Sequence, residues 1–160
     1  MEGNHYLPDF IMRSTGFVLY QVAEIGRTLF SDAITPLGIN EQQLGVLGVL
    51  ESFGPQVQAH LSPPLRIDKA KMVGIVNELE ERGLVQRLPH PQDRRAVLVH
   101  LTEAGKEMLQ RSEEVVKCFS AQYFGVFNPE ELRFFHELLV RLADTHAPHA
   151  DALAEHHKTT

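Results

Sequence analysis

Lys69, Lys71, Gly74 and Asn77 recur at helical steps, and Asp93, Arg94 and Arg95 crowd one short loop further on. This pattern suits double-stranded DNA. An asparagine can read adenine, and a lysine can reach guanine or a phosphate. A glycine at position 74 lets the backbone come close. An arginine fits the narrow, electronegative minor groove. Arg66 and Arg87 are further candidates for phosphate contact. A solvated helix face accounts for any one of these residues, but as a group at one place they favour DNA.

Such residues work only if rigid elements present them. Asp68 is a good helix N-cap, because its short carboxylate can accept an orphan amide. Met72, Ile75, Val76 and Leu79 then recur at steps of three and four, which gives one buried face. Lys69, Lys71, Gly74, Asn77 and Glu78 fall away from it. Glu78 and Arg82 have the favourable order for an ion pair four residues apart. Gly83 stands where a left-handed C-cap is expected. Val85 to Leu88 predicts a first strand, residues 89–94 a turn, and Ala96 to Leu101 a second strand with Val97, Val99 and Leu101 on one face. Thr102 caps a further helix. A helix followed directly by a two-stranded ribbon with arginines at its tip fits a major groove with a minor groove beside it.

Four pieces in order carry a family resemblance: Asp68-Lys-Ala-Lys-Met-Val, Leu79-Glu-Glu-Arg-Gly-Leu-Val, Asp93-Arg-Arg-Ala and Leu98-Val-His-Leu-Thr-Glu-Ala-Gly105. Together they resemble the winged helix-turn-helix core of the MarR family, closely from about Leu37 to Leu109. The resemblance implies a dimeric transcription regulator, released from DNA by a small phenolic or other effector. It also implies an Asp-x-Arg wing, matched by Asp93 and Arg95, with the arginine in the minor groove and the aspartate holding the loop. The family's effector pocket lies between the dimerisation helices and the winged domain. Arg13, Phe17, Tyr20 and Arg27 are the local candidates, since aromatic and arginine side chains suit a phenol or carboxylate. Core packing and ion pairing explain the same four residues.

Taken over the whole chain, charge argues against a DNA binder, because the net value is −6. Divided along the chain, Leu65 to Lys106 carries +2 and the remainder −8. Phosphate contacts depend on local charge, and a distant acidic body weakens rather than prevents them. No apolar run reaches the roughly 18 residues of a membrane span. The first residues lack the basic and apolar regions of a signal peptide, and a single cysteine excludes an internal disulfide. The expected location is the cytoplasm.

The flanks read as helix. From Pro8 to about Thr35 one long helix is predicted, with Val18, Val22, Ile25, Leu29 and Ala33 on one stripe and Phe10, Ile11, Phe17 and Tyr20 on a second. Two apolar faces on one helix imply a second subunit. Asn40 and Gln43 have capping-box spacing before an apolar helix that Gly54-Pro55 ends. A second long helix runs from Thr102 to about Phe127. Asn128, Pro129 and Glu131 start another, which carries Leu132, Phe135, Leu139 and Leu142 and stops at Pro148. The family pattern for the first helix of the helix-turn-helix is broken by Pro63 and Pro64, and Arg66 replaces a turn glycine. An interior proline disfavours helix by ~3 kcal/mol, so that helix is predicted to stop near Leu61 or Ser62.

The expected architecture is mainly α with a small β-hairpin wing, a winged helix-turn-helix at 38–104 beside a helical dimerisation layer at 1–37 and 105–147. A polar tail follows at 148–160. The nine histidines, four of them at positions 146, 149, 156 and 157, do not match a zinc-site spacing, and no metal or cofactor is expected. Cys118 reads as a packed, inert thiol. Glycine-rich phosphate loops, Gly-x-Ser-x-Gly and His-Glu-x-x-His are missing, so no enzyme is expected. The function implied is a homodimeric, ligand-responsive repressor on a pseudo-palindromic operator. The alternative, motivated by Pro63-Pro64 and the small basic excess, is a dimeric winged-helix interaction or ligand-binding module that has lost DNA binding.

Overall fold

A computed structural model describes residues 8–92 and 96–146. The long N-terminal helix predicted from Pro8 is two: α1 spans Asp9–Met12 and α2 spans Thr15–Ile34. Ser14 is extended between them, with φ −108° and ψ 110°. Ser14, Thr15 and Gly16 are weak helix formers in a row, and no buried residue of α1 holds it in line with α2. A 3-10 turn at Thr35–Leu37 and Gly38, at φ 72°, end α2.

The capping box at Asn40 forms in full. Its Oδ1 accepts from the amides of Gln42 and Gln43 at 3.1 and 2.9 Å, and Gln43 Oε1 accepts from the Asn40 amide at 3.2 Å. It opens α3, Glu41–Phe53, and Gly54 closes it at φ 70°. The chain then forms β1 (Gln56–Val57), α4 (Gln58–Leu65), α5 (Lys69–Glu81), β2 (Val85–Pro89), β3 (Val97–Leu101), α6 (Glu103–Tyr123) and α7 (Pro129–His146). The sheet has three strands in the order β1-β3-β2, all antiparallel. The third strand, a two-residue piece, was too short to show any alternation in sequence. It pairs Gln56 with Val99 and Val57 with Leu98.

The core is concentrated in the middle of the chain. Val46, Leu47 and Leu50 of α3, Leu61 of α4, Met72, Ile75, Val76 and Leu79 of α5, and Val85 and Val99 of the sheet pack together, with Met108 reaching in from α6. Each such side chain stabilises by roughly 1.5–3 kcal/mol when fully buried. The flanking helices bury little: Gly26 and Ile34 in α2, and nothing in α1 or α7. Tyr123 anchors α6 to α2 through its hydroxyl, which donates to the Val22 carbonyl. Its ring stacks on Phe119 at 5.3 Å and fills the space beside Gly26.

Three expectations are corrected here. Helix α4 does not stop at Leu61 or Ser62 but runs through both prolines to Leu65. Leu61 is fully buried, and the carbonyls of the last turn are satisfied from beyond the prolines: Arg66 N donates to Pro63 O and Ile67 N to Ser62 O, each at 3.2 Å. This is a Schellman stop, and burial on both sides of it outweighs the local proline preference. Helix α6 ends at Tyr123 rather than near Phe127, because the chain turns tightly at Gly125, where a Cβ would meet the Ala121 carbonyl at 2.6 Å. Cys118 is not packed but exposed. It lies on the flank of α6, while Met108 and Ser112 take the inward positions. The stop predicted at Pro148 lies outside the described residues.

Candidate nucleic-acid interface

Helix α5 is the centre of the interface. Asp68 caps it, with its carboxylate accepting from Lys71 N at 2.9 Å. Met72, Ile75, Val76 and Leu79 are its buried face. Gly83 N donates to Glu80 O and Leu84 N to Leu79 O, both at 2.9 Å, so this helix too ends in a Schellman stop, with Gly83 at φ 69°. The expected Glu78–Arg82 pair does not form. Glu78 accepts from Gln43 Nε2 at 2.7 Å, and Arg82 Nη1 donates to the Gly38 carbonyl at 2.7 Å. Both side chains therefore tie α5 to the α3 end of the molecule.

The opposite face is exposed. At 100° per residue, Ala70, Gly74 and Asn77 occupy its middle, while Lys69 and Lys71 flank it about 160° apart. A Cβ on Gly74 would meet nothing within 4 Å, so that position presents bare backbone to the outside. Two residues at the same spacing escaped the sequence reading. Ala70 is exposed and Val73 is 43% exposed, and small apolar side chains of this kind suit the thymine methyl group. The steps 70, 73, 74 and 77 were the available signal.

Arg66 is exposed at the α4–α5 turn. It has φ 52° and ψ 37°, and is the single non-glycine residue at positive φ among those described. A left-handed residue with a Cβ is disfavoured by roughly 1–2 kcal/mol. Arg66→Gly is accordingly expected to raise unfolding free energy by about 0.5–1 kcal/mol in urea titration, after allowing for the greater entropy of the unfolded chain. A loss of stability would show that the side chain, not the backbone, decides this turn.

Arg87 is not a free surface cation. Its guanidinium pairs with Glu80, and Nη2 donates to Gln58 Oε1 at 2.9 Å and to Asn77 Oδ1 at 2.7 Å. Its backbone amide donates to Glu80 Oε1 at 2.9 Å. These bonds hold the Glu80 carboxyl below its ordinary range. Asp93, Arg94 and Arg95 lie outside the described residues. Between β2 and β3, His90 N donates to Ala96 O at 3.0 Å.

The four effector candidates have different surroundings. Arg13 follows α1, Phe17 packs on Phe10 at 5.8 Å, and Tyr20 is 60% exposed. Arg27 pairs with Glu24 at 3.1 Å and Glu41 at 3.8 Å. Of the four, Arg27 borders an apolar groove of about 340 Å³ between α2, α6 and α7, lined among others by Phe30, Tyr123 and Phe135. No group of three or more His, Cys, Asp and Glu is placed to hold a metal among the described residues. No described helix is long and apolar enough to cross a membrane.

A capped helix with an exposed polar face, a scaffold helix before it and an antiparallel wing behind it define a winged helix-turn-helix protein. Comparison with known proteins agrees. The MarR family model matches residues 39–97. The transcriptional repressor NicR of Pseudomonas putida is 30% identical over 138 residues, covering 86% of this chain and 87% of that one. The structure of Bordetella bronchiseptica BpsR, whose DNA binding is regulated by 6-hydroxynicotinic acid, superposes with a TM-score of 0.76 at 25% identity, over 86% and 99% of the two chains. Rhodococcus jostii CouR bound to p-coumaroyl-CoA gives a TM-score of 0.73 at 27% identity, over 85% and 96%. The chain belongs to the MarR family of transcriptional regulators.

Proposed function

We propose that this protein is a cytoplasmic, homodimeric repressor that binds a pseudo-palindromic operator and is released by a small aromatic or phenolic effector. The observation that carries this reading is the exposed outer face of α5, framed by the wing and backed by the buried core. Lys69, Lys71, Gly74 and Asn77 meet the major groove, Arg95 the minor groove, and Arg66 and Arg94 the phosphates. Residues 1–37 and 105–147 form the dimer layer. Repression is supported by the likeness to NicR. Effector control is supported by the likeness to BpsR and CouR, which take 6-hydroxynicotinic acid and p-coumaroyl-CoA respectively. The groove beside Arg27 is the place proposed for an aromatic acid, with the guanidinium meeting its carboxylate.

Selection of sequences from a randomised duplex library tests the reading. The expected product is a two-fold site with half-sites about one helical turn apart. Binding should fall steeply as salt rises, because each phosphate contact releases counterions. Arg95→Ala should weaken binding to the selected site by at least ~1 kcal/mol with no loss of fold, the scale of one good groove contact. Absence of any selection at low salt would favour the dimeric module without DNA binding.

A further inference from the structure

Arg87 joins three parts of the interface through one side chain. It stands on β2, Gln58 opens α4, and Asn77 and Glu80 belong to α5. The Arg87 side chain is 23% exposed and gives its charge to Glu80, while Nη2 bonds both amides. A guanidinium has donors and no acceptor, so each amide must turn its oxygen toward it. That fixes which end of each amide faces away. The Nδ2 of Asn77 and the Nε2 of Gln58 remain, and neither has an acceptor among the described residues. Asn77 is exposed and Gln58 half-buried. Because Glu80 neutralises Arg87, the cluster contributes direction rather than charge.

We propose that Arg87 is a positioning residue that fixes Asn77 and Gln58 as a pair of outward hydrogen-bond donors, so that this point of the interface takes an acceptor on DNA. The acceptors available are a purine N7, guanine O6 or thymine O4 in the major groove, or a phosphate oxygen. Cytosine presents its N4 donor there and is rejected. The inference rests on the DNA-binding reading above and adds what the reader helix selects.

The test uses the full chain and the duplex obtained by selection. At the preferred base of each half-site an analogue removes the acceptor, 7-deazapurine for N7, 2-aminopurine for guanine O6 or 5-methyl-2-pyrimidinone for thymine O4, and a methylphosphonate at a neighbouring linkage removes a phosphate oxygen's charge. One of the two modifications should weaken wild type about tenfold and leave Asn77→Ala or Gln58→Ala unaffected. Which one acts identifies the acceptor as base or backbone. Arg87→Lys keeps a cation but loses the fork that holds two carbonyls, and should lose the same response. The inference is overturned if neither modification weakens wild type, if the two alanine variants respond as wild type does, or if Arg87→Lys does. Asn77 and Gln58 lie outside the buried core, so their variants carry the test if Arg87→Lys does not fold. A wild-type protein that selects no sequence would defeat the DNA-binding reading at the first step, before the modified duplexes are used.

Discussion

Gly105→Ala is expected to lower the unfolding free energy by about 2–3 kcal/mol, even though alanine favours helix by ~1 kcal/mol. A Cβ at this position would stand 2.2 Å from the Leu84 carbonyl oxygen and 2.6 Å from Leu101 Cδ1. The first neighbour is backbone and cannot rotate away. That carbonyl also accepts from Thr102 N at 3.2 Å, and the Thr102 hydroxyl donates to Gly83 O at 2.6 Å while accepting from Gly105 N at 3.1 Å. The end of α5 and the start of α6 thus form one close joint, through which the reader helix is held to the long helix. Urea unfolding measures the effect. Gly48→Ala is the comparison, since a Cβ there meets nothing within 4 Å. A Gly105 variant as stable as the Gly48 variant would mean that the joint yields without strain. If it is as rigid as its contacts indicate, variants that still fold should also bind operator more weakly, because the reader helix moves with the turn.

Leu142→Glu is expected to convert the proposed dimer to a monomer near the 18.0 kDa chain mass and to reduce operator affinity by about 10²–10⁴-fold. Helix α7 has a complete apolar face and no buried residue. Leu142 is 47% exposed on that face, and Phe134 and Val140 are 62% and 42% exposed. On α1 and α2, Phe10, Phe17, Tyr20, Ile25 and Leu29 are exposed by 44% or more. Apolar surface of this extent on the first and last described helices supports the proposed second copy as its cover. A carboxylate buried there without a partner opposes association strongly. The loss of DNA affinity follows because two linked half-site contacts become independent ones. Light scattering at micromolar protein and operator titration measure the two effects. A dimer that persists with Leu142→Glu would place the interface elsewhere.

Much of the winged-helix region, and the start of α7, was legible because the signals are local. The Asp68 cap, the Met72–Leu79 face, the Gly83 stop, the Asn40 box and the Asn128 start depend on neighbours within a few residues, and each forms as the spacing predicts. The same locality explains the failures. Pro63 and Pro64 locally forbid helix, yet Leu61 and Ile67 are buried on either side and hold the turn. The Glu78–Arg82 pair was a sound local expectation, but Gln43 and the Gly38 carbonyl, both distant in sequence, offered fixed partners instead. The break at Ser14 and the exposed Cys118 also depend on what packs opposite each helix. For the interface, residue types and helical spacing identified Lys69, Lys71, Gly74 and Asn77 as an outward group. Only the tertiary structure showed Arg87 turned onto Glu80, Gln58 and Asn77, because those three contacts span 7, 29 and 10 residues of sequence and exist only once α4, α5 and β2 have docked.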